Sequence, residues 1–384
     1  MTLFTIITLG VLTHTTFTSA RMIGSLYALA NGASAFTVGV LMALFALVPM
    51  LVAVRAGRWL DEVGPRKPLA LGAALLGVGA IMPALFPYAL ADIAPLLVGA
   101  CLVGTGSMLV QQTTIHIVGS RADPGRRAAD FSWMAVGASI AGLVGPVTSG
   151  LLIDLAGHRA AFAALTVLTL ANGVLLYVHR AQLPSRKAPP VAAEPRPTFE
   201  LLSFRDVRNV LIATALISMS WDLQTFMMPV HGTAVGLSAS EIGLVLGAFA
   251  AASFTIRLAM PTLSRHLREW QVLIFTLFTA ALAFALMPWF GSVLPLAGCA
   301  FLLGLGLGAA YPNVMSLLHA KSPPGRVGEA LGLRHLIMNG SHVLLPLVFG
   351  AVGSVLGAKV VYLLMAAVLV AAGIGLRRLS RREP

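Results

Sequence analysis

The chain has 384 residues, 58% of them hydrophobic and only 10% charged, with a mean hydropathy of +0.88. An ordinary soluble domain carries about 25% charged residues, so a water-soluble globular enzyme is excluded at the outset. The formal net charge of +12 would point to nucleic acid in a soluble protein, but here the 26 Lys and Arg sit between long apolar runs, and a lipid bilayer is the partner they imply.

A helix crossing about 30 Å of hydrocarbon needs roughly 20 mostly apolar residues. Twelve runs qualify: 5–28, 36–57, 68–88, 93–118, 130–153, 160–179, 209–231, 240–262, 271–289, 293–318, 328–352 and 358–376. The first lacks a basic n-region and an Ala-x-Ala site, so it reads as helix 1 and not as a cleaved signal. With the N-terminus inside, 21 of the 26 Lys and Arg fall in cytoplasmic segments and two, Arg159 and Lys359, outside. Arg21, Arg257 and Arg334 lie within spans. That bias places both termini in the cytoplasm. The 22 Arg against 4 Lys fit a GC-rich bacterial genome, and the expected location is a bacterial inner membrane.

Helix 1 carries Arg21 and, on a Thr-lined stretch, His14, which reads as a packing histidine. Between helices 2 and 3 runs GRWLDEVGPRKPL, Gly57 to Leu69. Gly57 and Gly64 suit a tight turn and close helix approach, Asp61 can face a helix N-terminus, and Arg66 and Lys67 can pair with it. This run resembles the G-x-L-a-D-r-x-G-r-k signature of the major facilitator superfamily. The resemblance implies that fold, a secondary transporter, and a loop that helps hold the two halves together. Glu62 stands where the family usually has a basic residue. The corresponding second-half stretch, Met260 to Trp270, has lost the motif, with Pro261 for Gly57 and Arg265 for Asp61.

Helix 4 carries Gln111, Gln112 and His116. Ala100 replaces the arginine that many of the family's proton antiporters have four residues before the glycine at Gly104. Helix 5 contains GLVGPVTSG, with Gly145, Pro146 and Gly150, similar to the family's antiporter motif, in which Pro kinks the helix and small residues allow close packing.

Residues 180–208 are rich in proline and mixed charge and read as a cytoplasmic linker. They divide the chain into a six-helix bundle at 1–180, a linker at 181–207, a second six-helix bundle at 208–376 and a tail at 377–384. The halves repeat each other. At an offset of 204, Gly32, Ser34, Gly39 and Phe45 meet Gly236, Ser238, Gly243 and Phe249. At an offset of 200, Gly104, Gly106, Pro124, Gly125, Arg126, Pro146, Gly150 and Gly157 meet Gly304, Gly306, Pro324, Gly325, Arg326, Pro346, Gly350 and Gly357. Even spans per half make parallel repeats, an arrangement suited to alternating access. The expected fold is an all-α membrane protein of twelve transmembrane helices in two pseudo-symmetric bundles.

Of the 14 Asp and Glu, Asp222 alone lies deep in a span, about 20 Å into helix 7 at 1.5 Å per residue. A carboxylate there costs roughly 3 kcal/mol or more unless paired, protonated or hydrated. Trp221 and Gln224 add a stacking surface and an amide. Arg21 projects onto Thr225 at the offset of 204, so Arg21 and Asp222 are expected to pair across the central cavity in one conformation. Asp222 is the candidate proton acceptor; as an alternative to the pairing, Arg21 holds an anionic group of the substrate. Further polar residues are Tyr311 and Asn313 in helix 10, and Arg334, His335, Asn339 and His342 in helix 11.

The resulting expectation is a monomeric, proton-coupled efflux transporter of a small organic molecule. An importer of an organic anion is the alternative. A copper importer, with Met227 and His231, or His335, Met338 and His342, as soft ligands, is the distant one. No Walker loop and no nucleophile–base set occurs, so neither ATP drive nor an enzyme is indicated. Cys101 and Cys299 show no ligand spacing. No cofactor, resident metal or nucleic acid is expected.

Overall fold

The computed structural model describes residues 2–86, 93–121, 127–183, 198–263, 267–323 and 327–380. Most of the linker, the two Pro-Gly-Arg loops around 125 and 325, and Arg265 lie outside the described residues. What is described is helical, because in hydrocarbon the backbone must satisfy its own hydrogen bonds. The helices are α1 (Leu3–Ala30), α2 (Ala35–Val63), α3 (Arg66–Leu85) and α4 (Ala94–Arg121), then α7 (Arg205–Ala234), α8 (Ala239–Leu263), α9 (Glu269–Leu286), α10 (Val293–Lys321), α11 (Val327–Leu356) and α12 (Ala358–Ser380). Between them, Arg127–His179 is continuous in hydrogen bonding but leaves helical geometry at Gly157, φ 81° and ψ 171°. It is therefore two helices, α5 (127–156) and α6 (158–179).

Eleven helical segments among the described residues are long and apolar enough to cross a membrane. One of them, Trp133–Gln182, has 50 residues, about 75 Å of helix at 1.5 Å per residue, enough for two crossings. Its break at Gly157 brings the count to twelve. The chain is a multi-pass membrane protein.

The repeat read from the sequence is present in the backbone. Gly32 and Gly236 close α1 and α7 with φ of 79° and 83°. Gly157 and Gly357 separate α5 from α6 and α11 from α12 with φ of 81° and 83°. These are left-handed conformations that a side chain resists. Ser34 caps α2 by accepting from Thr37 N–H, and Ser238 does the same for Glu241 N–H at the start of α8, with the Glu241 carboxylate returning the bond.

The chain forms two compact units. The first comprises Met1–Ala192 and Ser238–Gly243, the second Ala193–Leu237 and Leu244–Pro384. In the first, α1 packs on α5 and α3 on α4; in the second, α7 packs on α11 and α9 on α10, the same pairs advanced by six helices. Small residues set the closest approaches. A Cβ on Gly104 would meet the Phe45 carbonyl of α2, and one on Gly304 would meet the Phe249 carbonyl of α8. Polar ties supplement them: Asn172 of α6 donates to Thr13 Oγ1 (2.8 Å) and to the Leu9 carbonyl (3.3 Å) of α1.

A Cβ placed on Gly57 would have no neighbour within 4 Å, so close approach is not the reason for that glycine. Gly104→Ala and Gly304→Ala should each destabilise their own bundle by about 1–3 kcal/mol through overpacking. Gly57→Ala, inside α2 with room for the methyl group, should instead raise the melting temperature slightly, reflecting the about 0.5–1 kcal/mol that separates Ala from Gly in a helix. Thermal unfolding in detergent reads both.

Candidate functional site

Asp222 lies midway along the 30-residue α7 and is fully buried. Its Oδ1 lies 2.6 Å from Nδ1 of His342 on α11, and its Oδ2 has no hydrogen-bond partner. A carboxylate can only accept, so with Asp222 ionised Nδ1 carries the hydrogen. His342 keeps about a third of its side chain exposed, so the pair joins a buried acid to an accessible imidazole. The sequence points to Arg21 as a partner of Asp222 in one conformation. Here the partner comes from the same unit, because α7 and α11 are packed neighbours and residues 222 and 342 fall at matching heights on them.

Trp221, adjacent in sequence, packs edge-on against Phe249 of α8 with ring centroids 4.7 Å apart. The guanidinium of Arg257, also on α8, lies 6.0 Å from the Trp221 ring. Arg334, about two helical turns before His342 on α11, is buried and stands 4.9 Å from the Tyr311 ring of α10. Arg257 is visible in the sequence as a basic residue within a span. What the sequence lacks is any sign that α8 and α10 bring it near Tyr311.

The remaining expected residues divide. Gln224 is fully buried and both of its amide atoms lack partners. Two residues along a helix from Asp222, it points away from the pair. Asn313 turns its amide back to the Ala309 carbonyl, 2.7 Å away, and so serves its own helix. Asn339 is exposed, and the side chain of His335 is not among those described. Met227 and His231 are core residues: His231 Nε2 is 3.2 Å from the Phe290 carbonyl and its ring meets Tyr362 at 5.7 Å.

In the first unit, Arg21 Nε donates to Met42 Sδ at 3.4 Å, with its guanidinium 5.6 Å from the Phe17 ring. Gln111 is exposed and Gln112 half-buried on α4. Gly145 seats α5 on α1: a Cβ there would meet the Thr18 hydroxyl, and Ser19 Oγ donates to its carbonyl at 3.2 Å. Pro146 and Gly150 follow within α5. In the loop motif, Gly64 has φ 75° and ends α2. Arg66 donates to the carbonyls of Leu183 (3.1 and 3.3 Å) and Ala181 (3.4 Å), just past the end of α6, where Asp61 was the expected partner. Lys67 is exposed, and the Asp61 side chain is not among those described.

The sequence profile of the Major Facilitator Superfamily matches residues 6–294 and 210–384, together nearly the whole chain. The chain is 25% identical over 297 residues to the cyanate transport protein CynX of Escherichia coli (strain K12), across 77% of this chain and 75% of that one. It is 30% identical over 139 residues, 36% of its length, to a probable vesicular acetylcholine transporter-A of Danio rerio. It spans only about a quarter of that protein's length, 26%. Among solved structures, a POT family transporter in complex with 5-aminolevulinic acid aligns with a TM-score of 0.81 over 99% of this chain and 96% of the other. At 13% identity, that likeness concerns the fold alone.

The Asp222–His342 bond should be measurable as a coupling. In detergent unfolding, the penalties of Asp222→Asn and His342→Ala should together exceed that of the double variant by about 1–2 kcal/mol. Additive penalties would mean that the two side chains do not act as a pair.

Proposed function

The chain belongs to the major facilitator superfamily, and from that premise we propose that it is a proton-coupled secondary transporter of a small organic molecule. The observation that carries the reading is the buried carboxylate of Asp222, held through one oxygen by an imidazole from another helix and unsatisfied at the other. With the carboxylate ionised and the imidazole neutral, the pair has a charge of −1. Uptake of one proton makes it zero, wherever in the pair the proton resides. In a low-dielectric bundle that change alters the cost of burying the pair and the strength of the bond between α7 and α11.

A proton bound there can therefore favour one arrangement of the second bundle over another. That is the differential interaction a coupling ion must have to shift a conformational equilibrium. Parallel six-helix repeats are an architecture in which such a shift becomes alternating access. The partly exposed imidazole gives the proton a route to the buried acid.

The glycine–proline run of α5, with Gly145 seated against α1, supports outward transport by antiport, as in the family's antiporter branch. The positive-inside count supports a bacterial inner membrane with both termini in the cytoplasm.

Proteoliposomes loaded with a pH-sensitive dye test the coupling. Organic anions, amphiphilic cations and neutral solutes are screened in turn, cyanate among them. A solute carried by the wild type should move protons in the opposite direction. Asp222→Asn should still exchange labelled for unlabelled solute but lose the response to an imposed pH gradient. Solute movement without proton movement, or a gradient response retained in Asp222→Asn, would sink the proposal.

A further inference from the structure

Beyond the Asp222–His342 pair, two more Asp, Glu, Lys or Arg side chains among the described residues of the second unit lie more than a helical turn from either end of their helix, and both are cations. Arg334 is 3% exposed, and its Nε is buried without a hydrogen-bond partner. Its guanidinium lies against the Tyr311 ring, 4.9 Å from the centroid, while that of Arg257 lies near Trp221. Both guanidiniums come within electrostatic reach of the Tyr311 phenol. Trp221, Arg257, Tyr311 and Arg334 therefore border one place, although α7, α8, α10 and α11 each supply one of them. Tyr311 is 53% exposed, which gives the cluster an open side.

A guanidinium taken out of water needs a negative partner, and an aromatic face replaces the lost hydration only in part. The carboxylate described deep within this unit's helices, Asp222, is already engaged by His342. Arg257 has other contacts as well, so Arg334 is the principal donor and Arg257 the second.

We propose that the compensating charge is carried in by the cargo: Arg334, seconded by Arg257 and Tyr311, binds the carboxylate of a small organic acid whose apolar body lies against Trp221. This rests on the transporter reading above and names its substrate class. The Nε and a terminal nitrogen of a guanidinium form a planar fork that fits both oxygens of a carboxylate. The Tyr311 hydroxyl can donate to the same group. Trp221, half-buried and turned edge-on to Phe249, offers an apolar ring to the body of such a solute. A neutral solute leaves the buried Nε unpaired, and a cation meets two like charges, so the cluster discriminates by charge.

The test is equilibrium binding of radiolabelled benzoate to the purified full-length protein in nanodiscs, without a proton gradient. Small carboxylates should displace benzoate, whereas its neutral and cationic analogues, benzamide and benzylamine, should not. Arg334→Gln should weaken benzoate binding about tenfold or more; Arg334→Lys, which keeps the charge and loses the fork, should weaken it less. Arg257→Gln should weaken it too. Variants count only if their melting temperature matches the wild type, and should Arg334→Gln fail to fold, the charge selectivity of the wild type decides.

Equal benzoate affinity in Arg334→Gln overturns the proposal. So does displacement by benzamide or benzylamine as effective as that by carboxylates, and so does a wild type that binds no member of a panel of small mono- and dicarboxylates. These outcomes leave proton coupling standing. Conversely, a gradient response retained in Asp222→Asn removes the coupling and leaves this subsite intact.

Discussion

Hydrocarbon offers no hydrogen bonds, so every polar group within the spans must find its partner inside the protein. The backbone answers with helices, and the spans' hydroxyls answer by donating to carbonyls one turn back, as Thr16 does to Leu12 and Thr214 to Val210. Where one helix must end and the next begin without an intervening loop, the chain breaks at a glycine with positive φ: Gly157 is the clearest case. The same constraint makes Asp222 and Arg334 conspicuous. One is half satisfied and the other carries an orphaned nitrogen, in a setting where an apolar side chain would carry no such penalty.

Frame and chemistry have diverged within the repeat. The glycines that break or close helices, and those that let α4 approach α2 and α10 approach α8, are kept in both halves at offsets of 204 and 200. The charged groups are not. At the same offsets Asp222 corresponds to Thr18, Arg257 to Ala53, Arg334 to Met134 and His342 to Gly142. A duplicated scaffold accounts for the first set, because close helix contact leaves little choice but Gly. The second set occurs once, so the packing of the shared frame does not require it. Four positions without a counterpart, on α7, α8 and α11, converge in one bundle only.

The fold is legible because its determinants are local and repetitive: run length, basic loops, and glycine and proline in register. The site is legible in part. Asp222 stands out as an acid among apolar neighbours, and Trp221, Tyr311, Arg334 and His342 each stand out as polar or aromatic residues inside spans. Their grouping is not readable. The symmetry that correctly pairs Phe45 with Phe249 also suggests Arg21 for Asp222, since it matches depth and says nothing about which helices touch. Arg257 looks like one of three buried basic residues until α8 places it beside Trp221. Gln224 and Asn313 look like site residues, but one points away from the pair and the other bonds its own helix.

By itself, the sequence determined that the chain spans a membrane about twelve times, as two copies of one six-helix plan, with an acid near mid-span. Those properties follow from composition and periodicity, which act along the chain. Only the tertiary structure decided that the acid's partner is His342, that Arg334 lies against Tyr311, and that Arg257 lies near Trp221. Side chains 120 residues apart meet only when helices pack, and no periodicity along the chain says which helix faces which.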